Sequence, residues 1–126
     1  MSHILIVEDE VIVAAMLEQQ LHGSSKQVSI ATCGASALSV ISKTQVDWVV
    51  LDLKLPDMSG FEVLRAVRHV RPTPRVVILS GYSDQATKER LLREGVEQFF
   101  SKPTDLHAVC WYIIDNPRQQ ASVTCH

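Results

Sequence analysis

The sequence predicts an α/β domain in which a parallel sheet is covered by helices on both faces. Five short apolar runs alternate with five longer segments of helical period, the order expected of successive βα units. The runs are apolar almost without interruption, as strands buried on both faces are. Reactive side chains stand where apolar runs stop: Glu8 and Asp9 after Ile4–Val7, Asp52 after Trp48–Leu51, Ser80 after Val76–Leu79, and Lys102 just beyond Phe99 and Phe100.

Strands are expected at Ile4–Val7, Gln27–Ala31, Trp48–Leu51, Arg75–Leu79 and Gln98–Phe100. The first helix follows Asp9, with Val11, Ala14, Leu17 and Leu21 along one face and Gly23 as a stop signal. The second runs from near Ala35 to Lys43. The third opens after Ser59-Gly60 and sets Val63, Val67 and Val70 on one stripe, with Pro72 and Pro74 forbidding its continuation. Ser83-Asp84 is a good capping pair for the fourth, which reaches Gly95. The fifth spans about Thr104 to Asn116, turns Leu106, Val109, Cys110 and Ile113 to the core, and ends at Pro117. Trp48, Trp111 and Tyr112 read as core or helix-packing residues, and 117–126 reads as a tail or the start of a linker.

With 126 residues, of which 46% are hydrophobic, the chain makes one domain with a core of its own. A formal charge of -2 and the lack of a polybasic stretch argue against direct nucleic-acid or membrane binding. Cys33, Cys110 and Cys125 lack metal-ligand spacing and suit reduced thiols, and the five histidines are scattered. Acids follow only four apolar residues at the N-terminus and no stretch is long enough to span a bilayer, so a cytoplasmic protein is expected. Met1 directly before the first strand fits a natural start and an excised domain alike.

In an open α/β sheet, ligands bind outside the carboxyl ends of the strands, where the strand order reverses. Glu8, Asp9, Asp52, Ser80 and Lys102 are therefore expected to gather there. Crowded carboxylates need a raised pKa, a cationic side chain or a hard cation. Oxygen ligands favour Mg²⁺, which takes one or two carboxylates and completes its shell with water and phosphoryl oxygens. Asp52 is the candidate nucleophile, since a carboxylate oxygen can attack phosphorus to give an acyl phosphate. Lys102 is placed to pair with phosphoryl oxygens, and the Ser80 hydroxyl to donate a hydrogen bond to another. Asp57, between the turn residues Pro56 and Gly60, is assigned to shaping its loop rather than to the metal. Arg65, Arg68, His69, Arg71 and Arg75 read as a solvated basic face.

Together, Val7-Glu-Asp9, Leu51-Asp-Leu-Lys-Leu-Pro-Asp-Met-Ser-Gly60, Ile78-Leu-Ser-Gly81 and Phe100-Ser-Lys-Pro103 resemble the receiver domain of two-component response regulators. The resemblance covers roughly Ile4 to Asn116, giving a receiver domain over 1–116 and a flexible tail over 117–126. It implies a flavodoxin-like (βα)5 doubly wound sheet of strand order 2-1-3-4-5. It implies that Asp52 accepts a phosphoryl group from a histidine kinase or a histidine phosphotransfer protein. Mg²⁺ is then held by Asp9, Asp52 and the backbone carbonyl of Lys54, with Glu8 acting through metal-bound water, and the Lys102–Pro103 peptide is cis. Such a domain is a signalling module rather than an enzyme, catalysing only its own phosphorylation and dephosphorylation. Its output is a contact with an unknown protein through helix four, strand five and helix five, where Lys88, Arg90, Glu97 and Gln98 are exposed candidates, as a monomer or a phosphorylation-dependent dimer.

Family switching couples Ser80 to the aromatic three residues before the lysine, here Phe99, which lacks the hydroxyl of a tyrosine. The switch is therefore expected to be steric. Lys54 and Tyr82 stand two residues after Asp52 and Ser80, and their bulk suits them to tuning hydrolysis by shielding the acyl phosphate from water.

Other readings fit less well. Phosphatases of the haloacid-dehalogenase type place their nucleophile after the first strand, not the third. A flavodoxin-type flavin site needs a phosphate cradle where Glu8-Asp9-Glu10 repels one. A phosphorylation-independent receiver-like interaction module has no need of the full reactive set, all of which is present.

Overall fold

The computed structural model describes residues 2–23, 26–81 and 84–116. The elements follow in strict alternation: β1 (His3–Val7), α1 (Val11–His22), β2 (Gln27–Ala31), α2 (Gly34–Lys43), β3 (Trp48–Leu51), α3 (Gly60–Val67), β4 (Arg75–Ser80), α4 (Gln85–Arg93), β5 (Gln98–Ser101) and α5 (Leu106–Asp115). The strands form one parallel sheet in the order β2-β1-β3-β4-β5, the flavodoxin-like arrangement expected. The expected tail over 117–126, including Pro117, lies outside the described residues, as do Tyr82 and Ser83.

The two faces of the sheet explain why the central strands read as continuous apolar runs. Leu5, Val7, Val49, Leu51, Val76 and Ile78 point to one side and pack with Ala37 and Ile41 of α2, Val63, Leu64 and Val67 of α3, and Leu91 of α4. Ile4, Ile6, Trp48, Val50, Val77 and Leu79 point to the other and pack with Leu17 and Leu21 of α1 and Val109 and Ile113 of α5. Neighbours in sequence feed opposite layers, so successive positions between the ends of these strands are apolar. The edge strands β2 and β5 are only partly buried and carry Gln27, Ser29, Gln98 and Ser101.

Several expectations about the helices need correction. Val11 is 69% exposed rather than on the core face of α1, whose buried stripe is Ala14, Leu17 and Leu21. Apolar residues occupy the first half of α1 on every side, and such a helix gives periodicity little to choose between. Gly23 does follow α1, but in the right-handed region at φ -74°. The left-handed stop is Gly95 at φ 95°. Its N–H bonds to Leu92 O at 3.1 Å and that of Val96 to Leu91 O at 3.1 Å, a Schellman closure sealed by the buried pair Leu91 and Val96. α3 ends at Val67 and does not carry Val70, which packs on the core from outside the helix. There the chain tightens into turns, with His69 N–H on Ala66 O and Val70 N–H on Val67 O, both at 3.1 Å, before Pro72 restricts Arg71.

Trp111 is 53% exposed and so does not belong with Trp48 in the core. Arg75 is not part of a solvated basic face. Its guanidinium lies 4.3 Å from the centre of the Trp48 ring, donates from Nη2 to Glu97 Oε1 at 2.8 Å, and donates from Nη1 to the carbonyl of Asn116 at 2.8 Å. The Tyr112 hydroxyl donates to the same Glu97 oxygen at 3.0 Å. Glu97, expected on the contact face, is thus half-buried and committed to the fold, and Lys88 is also half-buried, whereas Arg90 and Gln98 are exposed.

Candidate functional site

The strand order reverses between β1 and β3, and the site forms at their carboxyl ends. The Asp52 N–H bonds to Val7 O at 3.1 Å and that of Glu8 to Ala31 O at 3.0 Å, so the ladder continues one residue past β1 and β3 and delivers two carboxylates side by side. Both residues are buried, Glu8 at 1% and Asp52 at 4% exposure, while Asp9 is exposed. One oxygen from each of Glu8, Asp9 and Asp52 lies within 4.8 Å of the others.

The opposing charge arrives from β5. The Lys102 N–H bonds to Ser80 O at 3.0 Å, which ties the lysine to the end of β4, and the Lys102–Pro103 peptide is cis. Its ammonium reaches across to Asp52 Oδ2 at 3.0 Å, both oxygens of Glu8 at 3.1 Å, and Glu10 Oε1 at 2.6 Å. Burial pushes the Glu8 carboxyl up to about 7, helped by the Asp52 charge and opposed by the Glu10 N–H and by Lys102. Burial works against the Lys102 charge, but the carboxylates of Glu10, Asp52 and Glu8 outweigh it and raise the ammonium above its ordinary value.

The loop after β3 is fixed by several local devices. The Lys54 N–H donates to Asp52 Oδ1 at 3.2 Å, and Lys54 pairs with Ser59 across the loop. The Ser59 hydroxyl accepts from Phe61 N–H at 3.1 Å, within a capping box completed by Glu62. A Cβ on Gly60 would sit 2.5 Å from the carbonyl oxygen of Asp52, so only glycine lets α3 start this close to the strand end. Asp57 does more than shape its own loop. Its carboxylate accepts from the N–H groups of Gly34 at 2.7 Å and Ala35 at 2.9 Å, capping α2, and these bonds hold its pKa below the usual carboxylate value.

The result is a cleft of about 580 Å³ lined by Asp9, Glu10, Asp52, Ser80, Thr87 and Lys102. Ser80 is 8% exposed at its floor, and the exposed Lys54 stands at its wall. Phe99 lies opposite Ile78 on β5, half-buried against the α2–α3–α4 side of the core. Tyr82, the other residue expected to tune hydrolysis, falls outside the described residues. Two of the lining residues with polar side chains, Glu10 and Thr87, were not singled out as site residues from the sequence. Glu10 had a signal, because a third acid stands at a helix start where glutamate is a poor cap. Thr87 had none, being one polar residue in a polar helix.

The profile of the response regulator receiver domain matches residues 4–113. The chain belongs to the response regulator receiver family. This receiver domain is 36% identical over 103 residues to the transcriptional regulatory protein KdpE of Mycobacterium tuberculosis, covering 82% of the chain and 45% of that protein. It is 35% identical over 106 residues to the response regulator ArlR of Staphylococcus haemolyticus, covering 84% of the chain and 48% of that protein. The chain thus spans about half the length of these curated relatives. Among solved structures, the CheY-like receiver domain protein of Methanospirillum hungatei superposes with a TM-score of 0.82 at 27% identity, covering 91% of this chain and 92% of that one. The signal receiver domain of a putative LuxO repressor from Vibrio parahaemolyticus gives 0.83 at 26% identity, covering 89% and 86%. Receiver domains are signalling domains of two-component systems and bind Mg²⁺ through acidic residues, and the receiver described here carries an acidic cluster of that kind. Among the described residues, no helix is long and apolar enough to cross a membrane.

Proposed function

We propose that the receiver accepts a phosphoryl group on Asp52 from a phosphohistidine of a histidine kinase or a histidine phosphotransfer protein. The observation that carries this reading is the pair Asp52 and Lys102: a buried carboxylate at a strand end, held 3.0 Å from an ammonium in an open cleft. In the transfer, an Asp52 carboxylate oxygen forms a bond to phosphorus while the bond from phosphorus to the donor imidazole nitrogen breaks and its electron pair returns to the ring. Lys102 donates to the phosphoryl oxygens and offsets their charge, and the Ser80 hydroxyl donates to another. The hard oxygen donors present fit Mg²⁺: Asp9, Asp52 and the Lys54 carbonyl would hold it, and Glu8 would act through a water on the ion. Bound there, the ion supplies charge stabilisation to the transferring group.

Phosphorylation adds about -1.5 to -2 charges at one point. Ser80 then moves toward the new oxygens and Phe99 fills the vacated space, a steric switch read by a protein target on the face of α4, β5 and α5, where Arg90 and Gln98 are exposed. The domain spans 1–116, acts in the cytoplasm without touching nucleic acid or membrane, and catalyses only its own phosphorylation and dephosphorylation. The reading is tested by incubating the protein with acetyl phosphate, with and without Mg²⁺, and weighing wild type and Asp52→Asn intact. A metal-dependent gain of one phosphoryl group confined to wild type supports it. A gain in both proteins, or steady turnover of a phosphomonoester, contradicts it.

A further inference from the structure

Glu10 occupies the N-cap of α1, yet its side chain makes no capping bond to that helix. Its carboxylate goes instead to Lys102, and at 2.6 Å this is the shortest of the four contacts the ammonium makes. An ammonium has three N–H donors, so with four carboxylate oxygens around it Lys102 is saturated. A phosphoryl oxygen gains a donor from Lys102 only when a carboxylate gives one up. The side chains of Glu8 and Asp52 are 2% and 5% exposed and cannot leave without opening the core, whereas that of Glu10 is 58% exposed and returns to water on rotating away. Its backbone does not need to follow, since the Glu10 N–H is held by Glu8 Oε2 at 3.0 Å.

We propose that Glu10 is the resting counter-ion of Lys102, a displaceable carboxylate that an incoming phosphoryl group must replace. Glu10 thereby sets how readily small anionic donors react at Asp52. The inference rests on Asp52 being the phosphoacceptor. It makes Glu10 a positioning residue, acting through Lys102 rather than on the reacting atoms.

The test uses Glu10→Gln and Glu10→Asn. Asparagine is a favoured N-cap and keeps α1 intact should glutamine not. Rate constants with acetyl phosphate and Mg²⁺ are followed by intact mass, and the affinity for beryllofluoride with Mg²⁺ by fluorine NMR. Both variants are expected to react about threefold faster than wild type, within the range an exposed ion pair commands, and to bind beryllofluoride more tightly by a similar factor. The rate ratio should fall as salt is raised, because screening weakens the Glu10 contact in wild type. A purely structural cap would change thermal stability and leave both constants where they were. That result, or slower reaction and weaker beryllofluoride binding, overturns the proposal. A wild type that takes up no phosphoryl group at all fails at the earlier step, the assignment of Asp52, and is thereby distinguishable from an unchanged ratio between variant and wild type.

Discussion

The ammonium of Lys102 lies 3.0 Å from Oδ2 of Asp52, although 50 positions separate the two residues in sequence and β4 stands between their strands. The lysine spans that gap because its backbone is tied to Ser80 at the end of β4, from where its long side chain crosses to the ends of β3 and β1. Three strand ends and one side chain thus make a single electrostatic unit, in which the carboxylates outnumber the cation.

Gly60 is expected to be intolerant of any side chain. The nearest atoms to an added Cβ are the backbone oxygen of Asp52 at 2.5 Å and Leu53 Cα at 2.8 Å, neither of which can turn aside. Gly60→Ala should cost about 1–3 kcal/mol in urea unfolding, the usual cost of overpacking, and should slow phosphorylation by shifting the Asp52 loop.

Asp57 joins the loop after β3 to the start of α2 through two backbone N–H groups, and its carboxylate stands outside the metal-capable trio. Asp57→Ala should therefore lower the urea midpoint while leaving Mg²⁺ affinity, measured by calorimetry, unchanged. A large loss of Mg²⁺ affinity would make it a ligand after all.

The pH dependence of stability should carry the mark of Glu97. The Arg75 guanidinium bonded to it, joined by the Tyr112 hydroxyl, holds its folded pKa below the ordinary 4.5. A depressed folded pKa contributes stability that is fully present above the unfolded value and is lost as pH falls through the folded one. Wild type should melt above Glu97→Gln at neutral pH, and the gap should close as the pH is taken well below 4.5. A gap that stays constant would show that the pair adds nothing pH-linked.

Lys54 and Tyr82 should shield the acyl phosphate from water. Replacing both with alanine is expected to speed its loss several-fold, followed by mass after removal of the donor, and an unchanged rate would dispose of the idea.

Much of the fold was legible because the strand ends are chemically marked. Trp48–Leu51 and Arg75–Leu79 are too apolar to be anything but buried, and Asp52, Ser80 and Lys102 stand one or two residues beyond such runs. What escaped was decided by partners distant in sequence. The burial of Arg75 depends on Trp48, Glu97 and Asn116, and the role of Asp57 depends on α2, which no local pattern announces. Val11 was misplaced because α1 is apolar on both its inner and outer sides. Glu10 was passed over as one more acid because its significance lies in a lysine 92 positions away.

Borohydride trapping tests the central claim most directly. Acyl phosphates are reduced by borohydride to the alcohol, so protein treated with acetyl phosphate and Mg²⁺ and then reduced should yield a peptide with homoserine in place of Asp52 and no other altered carboxylate. Homoserine at Asp9, Asp57 or any other aspartate, or the longer alcohol at a glutamate, with Asp52 intact, would contradict the account.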